Sequence, residues 1–402
     1  MKITLRKSLR LQNSAATLGP RPIRLASLRR IIRTLGVTML LVSSSLNSPL
    51  QANTATTDEP GASVSTENAE SKRDAVEQIA YAKLALTKGN SNSSDLRMDL
   101  GRAYMNAGMY DAALEYFLWI FDEGPKYAVN KSYSGVRVSF LLGDIGELAK
   151  AYPPAMEALV VRRDTLYESI LTNTADYLRN RRDIDSDFSA LADTVGDEKY
   201  IFSVFDQLEG DKSTNRLETL KIFVNRNLDH FDQRGLHDVV VKYVDMRRKV
   251  DSSVKSYGDA VKYLLEEDLE KSVYDAWVKH VFTFPVRRRI ANYYKISLAT
   301  NNHKDAEYAA EKLVGLLDDA LTYYELAKAG VESGNPSEEN VDQARKAVEL
   351  EPSNATFVDI LIQLLHATGS TGEAIGVAKD FLSRDLAAEE RSSIEETLDS
   401  LH

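Results

Sequence analysis

Between Asp95 and Pro125 the small and large residues fall at intervals that leave few folds open. Leu100, Gly101 and Tyr104 come first, then Gly108, then Ala113 and Phe117, and finally Pro125. Each cluster recurs at helical steps, which places its members on one side of a helix. Gly108 lets the chain turn between two helices, and Pro125 cannot continue the second. Two antiparallel helices pack closely only where small side chains sit at the crossing. Gly101 and Ala113 therefore mark the contact, while Leu100, Tyr104 and Phe117 fill the volume beside it. One such hairpin cannot bury its apolar face alone, so a stack of neighbours is required.

This spacing resembles the tetratricopeptide repeat, L-G-x-x-Y…A…F…P, with Arg97 in place of the leading Trp. The resemblance returns near the C-terminus. Asn301 and Asn302 precede Ala306, Ala310 and Leu313; the next unit reads Leu326-Ala327, Gly334, Ala344, Val348, Pro352; the last reads Leu361, Leu365, Gly369, Ala374, Ala378, Phe381. It implies an all-α fold of antiparallel helix hairpins stacked into an α-solenoid, and a non-catalytic scaffold that binds a protein or peptide. It also implies a place. In that family the first helices line a groove, which maps here onto Asp95, Met98, Arg102, Met105 and Asn106 in the first unit and onto Thr356, Asp359, Gln363 and His366 in the last. The family's carboxylate clamp of repeated Lys and Asn is not reproduced.

From Leu166 to Phe284 the helical period persists while the repeat spacing fades. Ala260, Val261, Leu264, Leu265, Leu269, Val273, Trp277 and Val281 form one apolar stripe at three- and four-residue steps. Breaks near Gly196, Gly210 and Gly235 are irregularly spaced, as in degenerate repeats or a helical insert. The low content of 20 Gly and 10 Pro in 402 residues favours helix throughout. The expected division is a signal peptide over 1–52, a disordered leader over 53–71, repeats over 72–165, degenerate repeats or an insert over 166–285, and repeats with a polar cap helix over 286–402. Tyr152-Pro153-Pro154 should separate two helices.

Charge is segregated. Nine basic residues precede Arg33's successor, no acid appears before Asp58, and an apolar run, Leu35 to Leu46, ends in Ser48-Pro49-Leu50-Gln51-Ala52. Basic region, short apolar core and small residue are the anatomy of a signal peptide, so export to the periplasm or medium is expected, with no membrane insertion after cleavage. Removing the leader leaves 41 basic against 60 acidic residues, a formal charge of −19. That balance disfavours nucleic acid and anionic lipid. The small basic clusters Arg162-Arg163, Arg181-Arg182, Arg247-Arg248-Lys249 and Arg287-Arg288-Arg289 read as solvated helix faces. The absence of cysteine excludes disulfides, thiolate metal sites and a thiol nucleophile.

No phosphate-binding Gly loop, nucleophile elbow or HExxH motif is present. His230 and His237 are spaced by two helical turns only if Gly235 does not break the helix between them, and lone histidines on helices are usually structural or solvated, so a metal pair is not expected there. Asp183-Ile184-Asp185-Ser186-Asp187 begins as a calcium loop does. Phe188, however, stands where such a loop needs Gly for its turn, and Thr194 replaces the bidentate Glu. No catalytic residue, metal or cofactor is therefore expected. Two other functions stay open: a helical hydrolase or lyase acting on envelope polymer, and a self-assembling structural protein.

Overall fold

The computed structural model describes residues 76–87, 92–127, 135, 137–173, 175–211, 214–266 and 271–401. The expected signal peptide, 1–52, and leader, 53–71, lie outside them. All regular structure among the described residues is helical. After α1 (76–87) come α2 (Ser94–Asn106) and α3 (Tyr110–Asp122), packed as an antiparallel hairpin. Ser93 caps α2 by accepting from the Leu96 amide at 3.3 Å. Gly108 turns the chain with φ +75°, a conformation that side chains with a Cβ avoid. At the crossing a Cβ on Gly101 would sit 2.5 Å from Cε1 of Phe117, so only glycine admits that ring. Arg97 occupies the Trp position of the repeat with its guanidinium 3.7 Å from the Trp119 ring centroid, a cation–π contact that fills the space.

A π-helical turn, Arg137–Leu141, leads into α4 (Leu142–Ala151), and Pro153 opens α5 (Pro153–Thr172) after extended Tyr152. The chain continues through α6 (Ala175–Val195), α7 (Lys199–Gly210), α8 (Thr214–Arg226), α9 (Leu228–Gln233), α10 (His237–Tyr243) and α11 (Met246–Glu266). Here α5 pairs with α6 and α7 with α8, while α5 also touches α7 and α6 touches α8. The segment is thus hairpin laid on hairpin. Within the apolar stripe Leu264 is fully buried and Leu265 exposed; the side chains of Val273 and Trp277 lie outside the description.

After α12 (Lys271–Ala276) and a π-helical turn, Trp277–Thr283, the C-terminal half is the most regular. It comprises α13 (Phe284–Ala299), α14 (His303–Leu316), α15 (Ala320–Glu332), α16 (Glu338–Leu350), α17 (Ala355–Ala367), α18 (Thr371–Leu382) and α19 (Ala388–Ser400). Sequential pairs form hairpins, and α11, α13, α15, α17 and α19 lie side by side as one layer. The core runs the length of this stack, from Leu100 and Phe117 through Phe188, Phe223 and Tyr294 to Phe381 and Ile394, each buried. An α-solenoid of stacked hairpins is the fold.

Candidate binding pocket

A concave recess sits where the middle of the stack meets its regular half. α11, α13 and α15 each offer one stripe to it at i, i+3, i+4, i+7 spacing: Lys249, Ser252, Ser253 and Ser256; Pro285, Arg288, Arg289 and Asn292; Glu325, Lys328, Ala329 and Glu332. Such spacing puts four side chains on one helix face. The end of α8 adds Arg226, and α9 adds Asp229 and Asp232. The recess measures about 540 Å³, a size that accepts a small molecule or a few residues of peptide.

Its charges divide into paired and unpaired sets. Lys295 donates to Asp232 at 2.8 Å, and His237 holds the other carboxylate oxygen at 3.0 Å. Lys328 pairs with Glu332 at 3.5 Å. Arg226, Arg288 and Arg289, by contrast, have no ion pair among the described residues, and Lys249 donates only to the Asn225 carbonyl, at 3.4 Å. Burial pulls the Lys249 ammonium down to about 8, helped by Arg226 and Arg289 and opposed by Asp229. Burial pushes Glu325 above the usual carboxylate range against the pull of Lys328 and Arg288. It likewise pushes the Tyr293 hydroxyl in the pocket wall up to about 12.

These cations correct the reading of the basic clusters as solvated faces. Arg287 is buried, donating to Asp319 at 2.6 Å and to Thr322 at 3.0 Å across the α13–α15 contact. Arg163 is buried too and bridges Asp197 and Asp164, each at 2.7 Å. The missed signal was periodic: Lys249 opens a polar stripe of three serines on an otherwise ordinary helix.

The groove residues inferred from the repeat lie at both ends, away from this pocket. On α2, Asp95 and Asn106 are exposed and Met105 half-buried, Met98 faces the core at 7% exposure, and Arg102 pairs with Asp144 of α4 at 2.8 Å. On α17, Thr356 is exposed and His366 contacts Thr371 at 3.0 Å. Asp359 accepts from Gln363 at 2.8 Å and from Thr397 at 2.5 Å, a bond that ties α19 onto α17. The two sets do not meet. Of the repeat residues, Leu100, Ala113, Phe117, Ala306, Ala344 and Ala374 are buried at helix crossings and Tyr104 stacks on Tyr116, while exposed Pro125 lies in the single helical turn Gly124–Tyr127 that follows α3 and exposed Pro352 follows the end of α16.

The Asp183–Asp187 run lies inside α6, where alternate residues diverge; Asp183 is exposed while Asp185 and Asp187 are buried. Asp187 binds Arg137 at 2.5 Å. One set of metal-type donors comes together among the described residues: Asp193, Glu198 and His230, within 4.8 Å of one another. Burial pulls the imidazole down, but its bond to Asp193, 2.7 Å long, and the charges of Asp193, Glu198 and Asp229 together hold His230 above its ordinary value. It is a half-exposed ion pair. No helix among the described residues is long and apolar enough to cross a membrane.

No family model matches the sequence, and no curated protein does. Among solved structures the chain is similar to the TPR2AB domain of yeast Sti1 in complex with pHSP90, at 15% identity over 77% of this chain and 96% of that one, with a TM-score of 0.22. It is similar to the TPR domain of P58(IPK), at 11% identity over 84% and 96% with TM-score 0.23. Yeast Tom70 aligns at 12% identity over 84% and 88%, also with TM-score 0.23. Scores this low carry no inference about binding. The helix hairpin itself, packed on Gly101 and Phe117 near the N-terminus and stacked again through the C-terminal half, makes the protein an α-solenoid of helix-hairpin repeats.

Proposed function

We propose that the protein is an exported, non-catalytic scaffold that engages a protein or peptide partner in the cell envelope. The observation that carries this reading is the side-by-side layer of α11, α13 and α15, which presents a recessed polar surface made by several hairpins rather than a nucleophile paired with a base. Export rests on the basic, apolar and small-residue order of 1–52. Exposed Asp95, Asn106 and Thr356 supply contact points at the two ends, with Arg102, Met105 and His366 beside them. Photo-crosslinkers placed at Asn106 and Thr356 of the full chain, expressed in the source cells, test the placement. Crosslinks from both positions to the same envelope protein support it; a chain recovered uncrosslinked from the cytoplasm overturns both partner and compartment.

The runner-up, a hydrolase or lyase acting on envelope polymer, rests on Glu325, whose raised carboxyl lies in the pocket as a general acid would. Release of soluble fragments from isolated envelope polymer, lost in Glu325→Gln, would establish it in place of the scaffold. Self-assembly would appear as a mass that rises with concentration in sedimentation.

A further inference from the structure

We infer that the recess between α11, α13 and α15 is a binding site for a phosphate monoester on a small soluble molecule, held by Arg226, Lys249, Arg288 and Arg289. This goes beyond the scaffold reading and does not depend on it.

Charge balance comes first. The chain as a whole carries −10, yet this pocket gathers four cations with no ion pair among the described residues. Asp232 and Glu332 are already committed to Lys295 and Lys328. Among the lining residues the carboxylates left to offset the four cations are Asp229 and Glu325, so the lining keeps a surplus of two positive charges; the Asp185 carboxyl of α6 lies near Arg226 but outside the lining. A phosphate monoester dianion matches that surplus, whereas a single carboxylate leaves half of it uncompensated. The donor types fit as well. Guanidiniums bind phosphate oxygens through two parallel N–H bonds, and an ammonium adds a compact point charge. Ser252, Ser256 and Asn292 supply neutral hydrogen-bonding groups for the hydroxyls of an attached polar body.

The cations also sit where they gain from a ligand. Like charges gathered in a partly desolvated recess repel one another, which costs the empty protein stability. Lys249 records that cost: burial, Arg226 and Arg289 pull its ammonium down, and Asp229 is the acid nearby that opposes them. A bound dianion removes the repulsion and restores the ammonium. Binding should therefore take up a proton at pH 8 to 9, where Lys249 in the empty protein has begun to lose its own.

The test uses the full chain and three probes: inorganic phosphate, sn-glycerol 3-phosphate and acetate, at matched ionic strength. Both phosphates should raise the melting temperature and titrate saturably by calorimetry, with a heat that depends on the buffer's ionisation enthalpy at pH 8.5. Acetate should do neither. Lys249→Met and Arg289→Gln should each weaken binding about tenfold or more, the usual loss for one charge-assisted hydrogen bond. Arg179→Gln, on an exposed guanidinium of α6, should leave binding unchanged. Flotation with vesicles containing phosphatidic acid separates sources. Phosphate binding without flotation supports the soluble ligand, and flotation lost in Lys249→Met would assign the phosphate to a lipid headgroup instead. Equal response to phosphate and acetate, or full phosphate affinity in a Lys249→Met protein with native circular dichroism, overturns the site.

Discussion

At the scale of single residues, the molecule depends on a few positions that admit one side chain. Gly101 is one, because the Phe117 ring occupies the volume that a Cβ would take. Gly101→Ala should cost about 1–3 kcal/mol through overpacking. Gly143→Ala, at a helical site with open space around it, should gain about 0.4–1 kcal/mol from reduced unfolded-chain entropy; urea midpoints of the two variants check the contrast. Gly101 was legible in the sequence because the partner it serves, Phe117, lies on the next helix of the same hairpin, just across the Gly108 turn. Asp185 was not. Its alternation with Asp183 and Asp187 invited comparison with a loop, and nothing local shows that α6 buries it. Burial pushes Asp185 and Asp187 each up to about 7, above the ~3.9 of an unfolded chain. Between those values the folded state holds protons that the unfolded state has released, so the contribution of these two carboxyls to stability is fully present below about pH 4 and is lost as pH rises from there to about 7. Asp185→Asn should flatten that fall, seen as a smaller difference between urea midpoints at pH 5 and pH 8 than in the wild-type protein.

At the scale of elements, helix ends were easier to read than helix faces. Pro153 begins α5 after Tyr152, and Gly334 and Gly369 turn between helices with φ +72° and +89°. These are backbone requirements, and the residues that satisfy them are few. Faces depend on partners far along the chain. In the sequence Asn340 looks like an ordinary polar residue shortly after the Gly334 turn, yet it is fully buried at the start of α16. It closes a capping box with Ser337 and donates to the Tyr294 hydroxyl of α13 at 2.8 Å, 46 positions away. Asn340→Ala removes the cap and leaves polar groups buried without it, a loss of about 1–3 kcal/mol. Hydrogen exchange should show the first turn of α16 opening while α17 and α18 keep their protection. The basic pocket belongs to this scale too: each contributing helix shows a regular stripe, but only packing reveals that three stripes face one space.

At the scale of the whole molecule, the stack has no centre. Its buried residues form a line rather than a ball, and ion pairs stitch each hairpin to its neighbour: Arg102 to Asp144, Arg162 to Asp122, Arg247 to Asp305, Arg345 to Glu373. In such a body stability approximates a sum of hairpins and nearest-neighbour contacts, so damage stays where it is made. Phe117 and Phe381 are both buried, one near each end, with no cluster in common. Each Phe→Ala change should cost about 3–5 kcal/mol locally. The double variant should lose the sum to within about 0.5 kcal/mol, because distant sites with no shared partner act independently. Exchange protection should fall around α2 and α3 for one variant and around α17 and α18 for the other, with the pocket between them unaffected. A single cooperative collapse of the whole chain in either variant would mean that the middle hairpins couple the ends, which nearest-neighbour stacking alone does not allow.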